Sequence, residues 1–330
     1  MTDKNSKLRW GIVATGGIAH SMAHDLLLAE NSTITAVASR NIENAKVFAE
    51  QYNIEHAHGS YQAIFDSSEV DVVYIATPHP MHHQLVLAAL EQNKHVVCEK
   101  PITLNRMQAL ECVTLAKQKQ LFLLEAVWMR FFPAFEQVKS WMSSNEIGDI
   151  QALEASFCID IPFDENHRLY NPNLGGGALL DLGIYPISLA HMLLGSPSSV
   201  HGECVKGVTG VDELNQISLH YDTGAVAYLR AGSRTARPIC ATVFGTHGKI
   251  DIHETFLCPA KVTLHKHSEA ETSVEFPFKG KGYNHQIAAV ERAIACNALE
   301  TPQMRHGDTL EIMQLMDDLR AQWGIRYPGE

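Results

Sequence analysis

Two residues in the middle of the chain have the types and spacing of a site that moves a proton. Asp181 and Tyr185 are four residues apart, so in a helix a carboxylate and a phenol share one face. Three glycines at 175–177 precede them, and a glycine-rich entry lets another element come close. Such a pair can bind two substrate hydroxyls and transfer a proton. The structural alternative is that Tyr185 is a core aromatic whose hydroxyl is satisfied internally.

A second candidate is the charged pair Glu99-Lys100, which ends an apolar run directly before Pro101. Ligands of open α/β sheets bind beyond the carboxyl ends of the strands, which predicts that Lys100 lies beside a nicotinamide. Desolvation and the cationic ring would make its ammonium release a proton more readily. The alternative is a solvent-exposed lysine at a strand end.

A glycine-containing turn near the start has the pattern of a dinucleotide-binding turn. Thr15-Gly16-Gly17-Ile18 follow the first predicted strand and open a helix, where a pyrophosphate would bind. Ala14 stands where this fingerprint has its first glycine. The turn by itself is therefore a weak indication of a cofactor.

The end of the second predicted strand bears on which cofactor would bind. The residues there are Ser39-Arg40, with no carboxylate to accept from a ribose 2′-hydroxyl. A hydroxyl and a guanidinium suit a 2′-phosphate, which predicts NADP rather than NAD. The alternative is an exposed loop arginine. Thr77-Pro78, at the end of another strand, are also predicted to contact the cofactor.

The histidine-rich run 79–83 raises the question of a metal. A metal site needs three or more convergent ligands, whereas the adjacent His82 and His83 point in different directions without partners at ligand spacing. We predict no metal, and we expect His82 to cap or pack at the start of the following helix.

Elements of two kinds would position these residues. The first third alternates short apolar runs with helical patterns, which is typical of βαβ units. It predicts strands at 8–14, 33–38, 70–76, 95–99 and 121–127. After Trp128 the pattern alternates, which predicts strands at 151–159, 216–221, 225–231 and 241–252, with turn signals at 222–224 and 246–248.

We therefore predict an α/β protein with a Rossmann dinucleotide-binding domain at 1–126. A second α+β domain at 127–330, with an open, mostly antiparallel sheet, would bind substrate and oligomerise. The helix predicted at 308–323 could pack back on the first domain. In the strand at 225–231, Tyr228 and Arg230 alternate with Ala227 and Leu229. The weak alternation suggests that both faces are covered and predicts a homodimer or larger assembly.

Bulk composition limits the class of protein. The 330 residues are 45% hydrophobic, which is ordinary for a globular protein, and the formal net charge of −11 disfavours a nucleic-acid partner. The seven cysteines are scattered without CxxC spacing, as in reduced cytosolic proteins. No signal-peptide pattern and no stretch approaching about 18 apolar residues is evident, so we expect a cytoplasmic protein without a membrane partner.

In this order the motifs resemble the glucose-fructose oxidoreductase / inositol dehydrogenase (Gfo/Idh/MocA) family over essentially the whole chain. The combination of Glu99-Lys100-Pro101, the three glycines and Asp181-x-x-x-Tyr185 carries the resemblance. Residues 9–12, 125–133 and 181–185 are similar to the branch of dimeric dihydrodiol dehydrogenases and NADP-linked xylose dehydrogenases.

The resemblance implies a Rossmann domain, an open sheet covered in oligomers, and substrates among pyranose sugars and vicinal diols. It implies that Lys100 hydrogen-bonds the reacting hydroxyl, that Tyr185 accepts or donates the proton, and that Asp181 orients the substrate. Many relatives have histidine at the position of Tyr185, and whether Tyr185 or Lys100 accepts the proton stays open. By position, we expect three residues to line the substrate pocket: Trp128, Arg130 and Phe157.

The function predicted from these residues and this resemblance is hydride transfer between NADP and a hydroxyl-bearing carbon of a sugar or trans-dihydrodiol. One alternative is an NAD(P)-dependent glycoside hydrolase that oxidises its substrate transiently, which Ser39-Arg40 disfavours. The other is a catalytically silent sugar sensor, which the presence of Lys100, Asp181 and Tyr185 disfavours.

Overall fold

A computed structural model of the protein describes residues 7–330, and this chain forms two compact units. The first unit comprises the chain up to Thr103, Met107–Trp128 and Lys279–Leu310. The second comprises Leu104–Arg106, Met129–Phe278 and Glu311–Glu330. The first boundary lies close to the predicted one, but residues 279–310 group with the first unit rather than with the second.

The first unit contains a sheet of six parallel strands in the order β3-β2-β1-β4-β5-β6. Its strands are β1 (Leu8–Val13), β2 (Ser32–Ala38), β3 (His56–His58), β4 (Val72–Ile75), β5 (His95–Glu99) and β6 (Leu123–Ala126). This is the Rossmann order, with its switch point between β1 and β4. The predicted parallel sheet is confirmed, and only the three-residue β3 was too short to show a pattern.

Helices connect these strands, as parallel pairing requires. They are α1 (Gly17–Leu26), α2 (Ile42–Tyr52), α3 (Tyr61–Phe65), α4 (His82–Glu91) and α5 (Arg106–Lys119). All four residues of β4 are buried, which explains why a central strand reads as an uninterrupted apolar run.

Side-chain contacts explain why the segment after Lys279 belongs to the first unit. The carboxylate of Asp25, fully buried at the end of α1, accepts hydrogen bonds from the backbone N–H groups of Lys281 and Tyr283 at 2.8 Å. In α8 (Asn284–Ala295), Glu291 accepts from the Ser32 hydroxyl at 2.6 Å. No local sequence pattern carries this long-range pairing.

The second unit contains an eight-stranded sheet in the order β14-β13-β12-β11-β7-β10-β9-β8. Its strands are β7 (Ile150–Cys158), β8 (Ser199–Lys206), β9 (Asp212–His220), β10 (Val226–Gly232), β11 (Ala241–Gly245), β12 (Gly248–Ile252), β13 (Lys261–Lys266) and β14 (Thr272–Glu275). Only β7 and β10 pair in parallel, so the prediction of a mostly antiparallel sheet is confirmed. The sequence pattern missed β8, β13 and β14.

One face of this sheet is covered by α7 (Ile184–Leu194), which packs on β7 and β10. In β10, Ala227 and Leu229 are buried on one face, whereas Tyr228 and Arg230 are exposed on the other. The remaining helices are α6 (Pro133–Ser143) and α9 (His306–Trp323). The predicted C-terminal helix is therefore present and begins two residues earlier.

The helical stretch Pro172–Leu194 is long and apolar enough to cross a membrane. The prediction that no stretch approaches this composition was wrong, because a few polar residues interrupt the run without lowering its average hydropathy much. In the structure, 83% of its most apolar window is buried inside the protein, as in the core helix of a folded domain.

Candidate active site

The dinucleotide-type turn connects β1 to α1. Ala14, where the fingerprint has its first glycine, adopts φ +84°, in the region that favours glycine. The turn therefore keeps the backbone course of the fingerprint although its first glycine is an alanine. This conformation could not be read from the residue type.

Gly16 and Gly17 leave the N-terminus of α1 open. Both are exposed, and a Cβ atom built on either would meet nothing within 4 Å. Gly16 has extended backbone angles, φ −78° and ψ 176°, that any residue can adopt. The fold itself does not need glycine here, whereas a phosphate approaching the free N–H groups does. The turn thus fits a bound dinucleotide.

The end of β2 carries the residues predicted to bind the 2′-phosphate on the cofactor's ribose. Ser39 is buried and its hydroxyl accepts from the Asn41 N–H at 3.3 Å, while Arg40 is exposed. The Arg40 guanidinium lies near the phenol of Tyr61, the first residue of α3. Burial raises the pKa of that phenol, and the guanidinium acts in the opposite direction. Sequence analysis missed Tyr61, because nothing local signals this contact.

Thr77 follows β4, the strand on the other side of the switch point. Its hydroxyl oxygen is buried without a hydrogen-bond partner in the structure, and its backbone oxygen faces the imidazole Nε2 of His82 at 2.7 Å. Pro78 precedes a short 3-10 turn. An unsatisfied buried hydroxyl beside the dinucleotide edge of the sheet is a ready ligand for a bound polar group.

Glu99 ends β5 and Lys100 directly follows it; both are buried, with exposures of 6% and 9%. The Tyr74 hydroxyl donates to the Glu99 carboxylate at 2.5 Å. The alternative of a solvent-exposed Lys100 is therefore wrong. Because parallel strands end at one edge, the candidates after β1, β2, β4 and β5 all belong to the same edge of the first unit's sheet.

The second unit carries Asp181 and Tyr185. Asp181 lies in a π-helical turn, Leu179–Gly183, and Tyr185 lies in the first turn of α7. Both are almost fully buried, and the Asp181 carboxylate pairs with Arg168 at 2.8 Å. The Tyr185 ring meets Phe157 edge to face, with the ring centroids 5.6 Å apart. Single π turns inside helices are often found at functional sites.

Asp212, at the start of β9, hydrogen-bonds to the N-terminal end of this helix. Its carboxylate accepts from the Leu179 N–H at 2.7 Å and from the Asn215 amide at 2.8 Å. Gly177 has φ +112°, and a Cβ atom there would lie 2.4 Å from the Asp212 Oδ1 atom. A Cβ atom on Gly176 would lie 2.8 Å from the Asn171 carbonyl oxygen. The glycines thus allow the close approach that was predicted, and Asp212 is a partner that sequence analysis missed.

The three predicted pocket residues have separate surroundings. Trp128, in the first unit, stacks on Tyr283 with centroids 5.2 Å apart. In the second unit, buried Arg130 donates to the Ser188 hydroxyl at 3.3 Å, and Phe157 contacts Tyr185. Their role in a pocket stays a prediction.

His82 is the first residue of α4 and is fully buried, as expected for a residue that packs at a helix start. Within residues 7–330, no group of three or more His, Cys, Asp or Glu side chains is arranged to hold a metal.

Comparison with known proteins places this arrangement among oxidoreductases. Residues 8–126 match the oxidoreductase family with an NAD-binding Rossmann fold, and residues 135–251 match the GFO/IDH/MocA C-terminal domain.

Relatives match over nearly the full length. A trans-1,2-dihydrobenzene-1,2-diol dehydrogenase of Xenopus laevis is 34% identical, covering 97% of this chain and 99% of that protein. A D-xylose 1-dehydrogenase (NADP(+)) of Hypocrea jecorina is 30% identical, covering 97% and 93%. Among solved structures, a 3-ketoreductase of Actinomadura kijaniata bound to NADP and TDP-benzene is 27% identical, with a TM-score of 0.85 over 96% of this chain and 98% of that one.

Proposed function

Because this chain belongs to the Gfo/Idh/MocA family of oxidoreductases, we propose that it uses NADP to oxidise a hydroxyl-bearing carbon of a pyranose sugar or a vicinal diol. It is a dehydrogenase with an NAD(P)-binding Rossmann domain. The observation that carries the finer proposal is the burial of Lys100 at the edge of the sheet where the N-terminus of α1 is open.

The choice of NADP rests on the end of β2. Arg40 is exposed and lies near the phenol of Tyr61. The first carboxylate after it is that of Glu43, so none directly beside Arg40 would repel a 2′-phosphate. A guanidinium so placed can make charge-assisted hydrogen bonds to a phosphate. Ser39 offers a hydroxyl beside it.

We assign roles to three side chains. When bound, the nicotinamide accepts the hydride that leaves the substrate carbon. Lys100 hydrogen-bonds the reacting hydroxyl, Tyr185 accepts its proton, and Asp181 orients a neighbouring substrate hydroxyl. The buried positions of all three exclude bulk water from these atoms, which strengthens polar contacts to a substrate.

Of the alternatives, the glycoside hydrolase and the silent sensor are not favoured. The full-length relatives that the chain matches are named as dehydrogenases, and the presence of Lys100, Asp181 and Tyr185 is consistent with turnover. Release of free sugar from an aryl glycoside without net NADPH formation would favour the hydrolase.

We also propose that the protein works in the cytoplasm as a homodimer or larger oligomer, without nucleic-acid or membrane partners. Support for the oligomer comes from the open face of the second unit's sheet, where a cavity is lined by residues of β7, β10 and β11 together with Arg237. A second copy of the chain would cover the exposed side chains of Tyr228 and Arg230.

The decisive experiment is a panel of aldopyranoses and trans-diols assayed with NADP and with NAD, followed through absorbance of the reduced nicotinamide. For the best substrate, we expect Lys100→Ala and Tyr185→Phe to lower kcat at least about 100-fold while NADPH still binds, because proton transfer typically contributes that much. Near-normal turnover of Lys100→Ala would contradict the assigned roles.

A matched control exists at the other end of β5. Lys94 lies just before β5, is also buried, and donates to the backbone oxygens of Ser67 and Val70. Lys94→Met should lower the free energy of unfolding but leave kcat of the folded enzyme within about twofold, since it lies at the opposite end of the strand from Lys100.

A further inference from the structure

The imidazole of His82 lies between the ends of two neighbouring strands. Its Nε2 atom is 2.7 Å from the backbone oxygen of Thr77, which follows β4. Its Nδ1 atom is 2.8 Å from the backbone oxygen of Pro101, which follows β5 and adjoins Lys100. The ring is 0% exposed, so water does not substitute for either contact.

Both neighbours of the ring are acceptors, which limits how the contacts are satisfied. A neutral imidazole carries one N–H and donates to one carbonyl, whereas the imidazolium donates to both. Burial lowers the pKa of His82, the contacts to the Pro101 and Thr77 oxygens oppose this, and the nearby Lys100 lowers it further. The other ring close to His82 is that of His79, whose centroid lies 5.8 Å away. Burying a polar ring costs free energy unless the ring hydrogen-bonds to the acceptors around it.

We propose that His82 is a positioning residue for Lys100. Its Nδ1 atom holds the Pro101 carbonyl against the end of β4, and this fixes the backbone next to Lys100. The inference deepens the proposed dehydrogenase function and rests on it for the role of Lys100. The next backbone N–H, that of Ile102, donates to the Glu125 carboxylate at 3.0 Å. The turn after Lys100 is thus held from two sides.

Two substitutions separate the contacts of the ring. The amide nitrogen of asparagine is three bonds from Cα, as is the imidazole Nδ1, so His82→Asn can keep the contact to Pro101 and lose that to Thr77. The amide nitrogen of glutamine is four bonds from Cα, as is Nε2, so His82→Gln keeps the opposite contact. Each variant keeps one of the two contacts and gives up the other, so their losses of stability should be similar.

The same two substitutions at the next residue, His83, supply the control. The Nε2 atom of His83 lies 2.9 Å from the Glu111 carboxylate, and its side chain is 19% exposed. His83→Asn and His83→Gln alter the same helix turn without touching the Pro101 carbonyl.

The first measurement is hydrogen exchange by mass spectrometry on the protein without cofactor or substrate, for peptides covering residues 100–104. We expect exchange of the Ile102 amide to be at least about tenfold faster in His82→Gln than in His82→Asn, with both His83 variants like the unmodified protein. Equal exchange in the two His82 variants, or faster exchange in His82→Asn, would overturn the proposal.

The second measurement is kcat and KM with NADP and the best substrate. His82→Gln should lower kcat at least about tenfold relative to His82→Asn, because a small displacement of a positioned group costs one to two orders of magnitude. A loss shared equally by both variants would mean a purely structural role. If the unmodified protein turned over no sugar or diol, the proposed function would fail, while the exchange comparison would still decide whether His82 holds the turn.

Discussion

The backbone N–H of Leu179 donates to the carboxylate of Asp212 over 2.7 Å. This bond joins the first turn of the helix that carries Asp181 to the first residue of β9. Asp212 is buried, and burial raises its pKa to about 7. A residue that positions the helix is therefore also one whose charge is costly in the folded state.

The stability of the protein should depend on the ionisation of Asp212. The folded-state pKa lies above the usual 3.8, so between about pH 4 and 7 the folded protein keeps a proton that the unfolded chain has released. This contribution to stability is complete below about pH 4 and is lost as the pH rises through 7. Asp212→Asn cannot titrate. Its free energy of unfolding relative to wild type should thus rise by roughly 2 to 4 kcal/mol between pH 5 and 8.

Denaturant titrations of both proteins at pH 5, 6, 7 and 8 measure this difference, and other titrating groups cancel from it. Asp212→Ala is the companion variant, since it removes the acceptor of the Leu179 N–H and should cost about 1 to 3 kcal/mol more than Asn at pH 5. A difference between wild type and Asp212→Asn that does not change with pH would show that the carboxyl titrates normally.

Gly17→Ala should weaken cofactor binding without weakening the fold. The added Cβ atom meets nothing within 4 Å and alanine favours helices, so the free energy of unfolding should change by less than about 1 kcal/mol. A methyl group at the open N-terminus of α1 should raise the Kd for NADPH at least about tenfold, as measured by fluorescence titration. Gly307→Ala, at an equally open position near the start of α9, should leave Kd unchanged. Unchanged binding in Gly17→Ala would remove α1 from the cofactor site.

Arg40→Asp should shift cofactor preference from NADP toward NAD. Losing one charge-assisted hydrogen bond costs roughly 1.5 to 3 kcal/mol, which is about one to two orders of magnitude in affinity for NADP. The new carboxylate would repel the 2′-phosphate and accept from a free ribose. The ratio of kcat/KM for the two cofactors reports the change.

The control for Arg40→Asp is Lys46→Asp, which reverses a charge on α2 where Lys46 pairs with Glu43 at 2.9 Å. It should leave the ratio within about twofold, because exposed charges in salt are largely screened. If both substitutions changed the ratio equally, Arg40 would act only through the general charge of the surface.

Tyr228→Glu should dissociate the proposed oligomer. Light scattering of the unmodified protein at micromolar concentration should give a mass above the 36.5 kDa of one chain. Tyr228 is 46% exposed on the open face of β10, and a carboxylate there would be buried without a partner in an interface between copies. Val47→Glu, on the exposed face of α2, should leave the mass unchanged. A monomer mass for the unmodified protein would contradict the proposal.

Much of the architecture follows from local pattern alone. The uninterrupted apolar runs of the Rossmann strands indicate that both faces of each strand are buried. The alternation in β10 indicates which of its side chains face α7. The three-residue β3, the edge strands β8 and β14, and β13 beside β14 went unpredicted, because short strands and strands at or near an edge bury too few side chains to leave a period. Their existence depends on neighbours that supply the hydrogen bonds.

The sequence by itself determined the family, the sheet types and the residues able to do chemistry, since these depend on residue type, spacing and local period. Only the tertiary structure decided that Lys100 is buried and that Ala14 takes a glycine-like conformation. It also decided that Asp212 bonds to the Leu179 N–H, that Tyr61 lies near Arg40, and that His82 contacts Thr77 and Pro101. Those contacts join residues up to 33 positions apart, such as Leu179 and Asp212. No local pattern encodes them, because they form only when whole strands and helices pack.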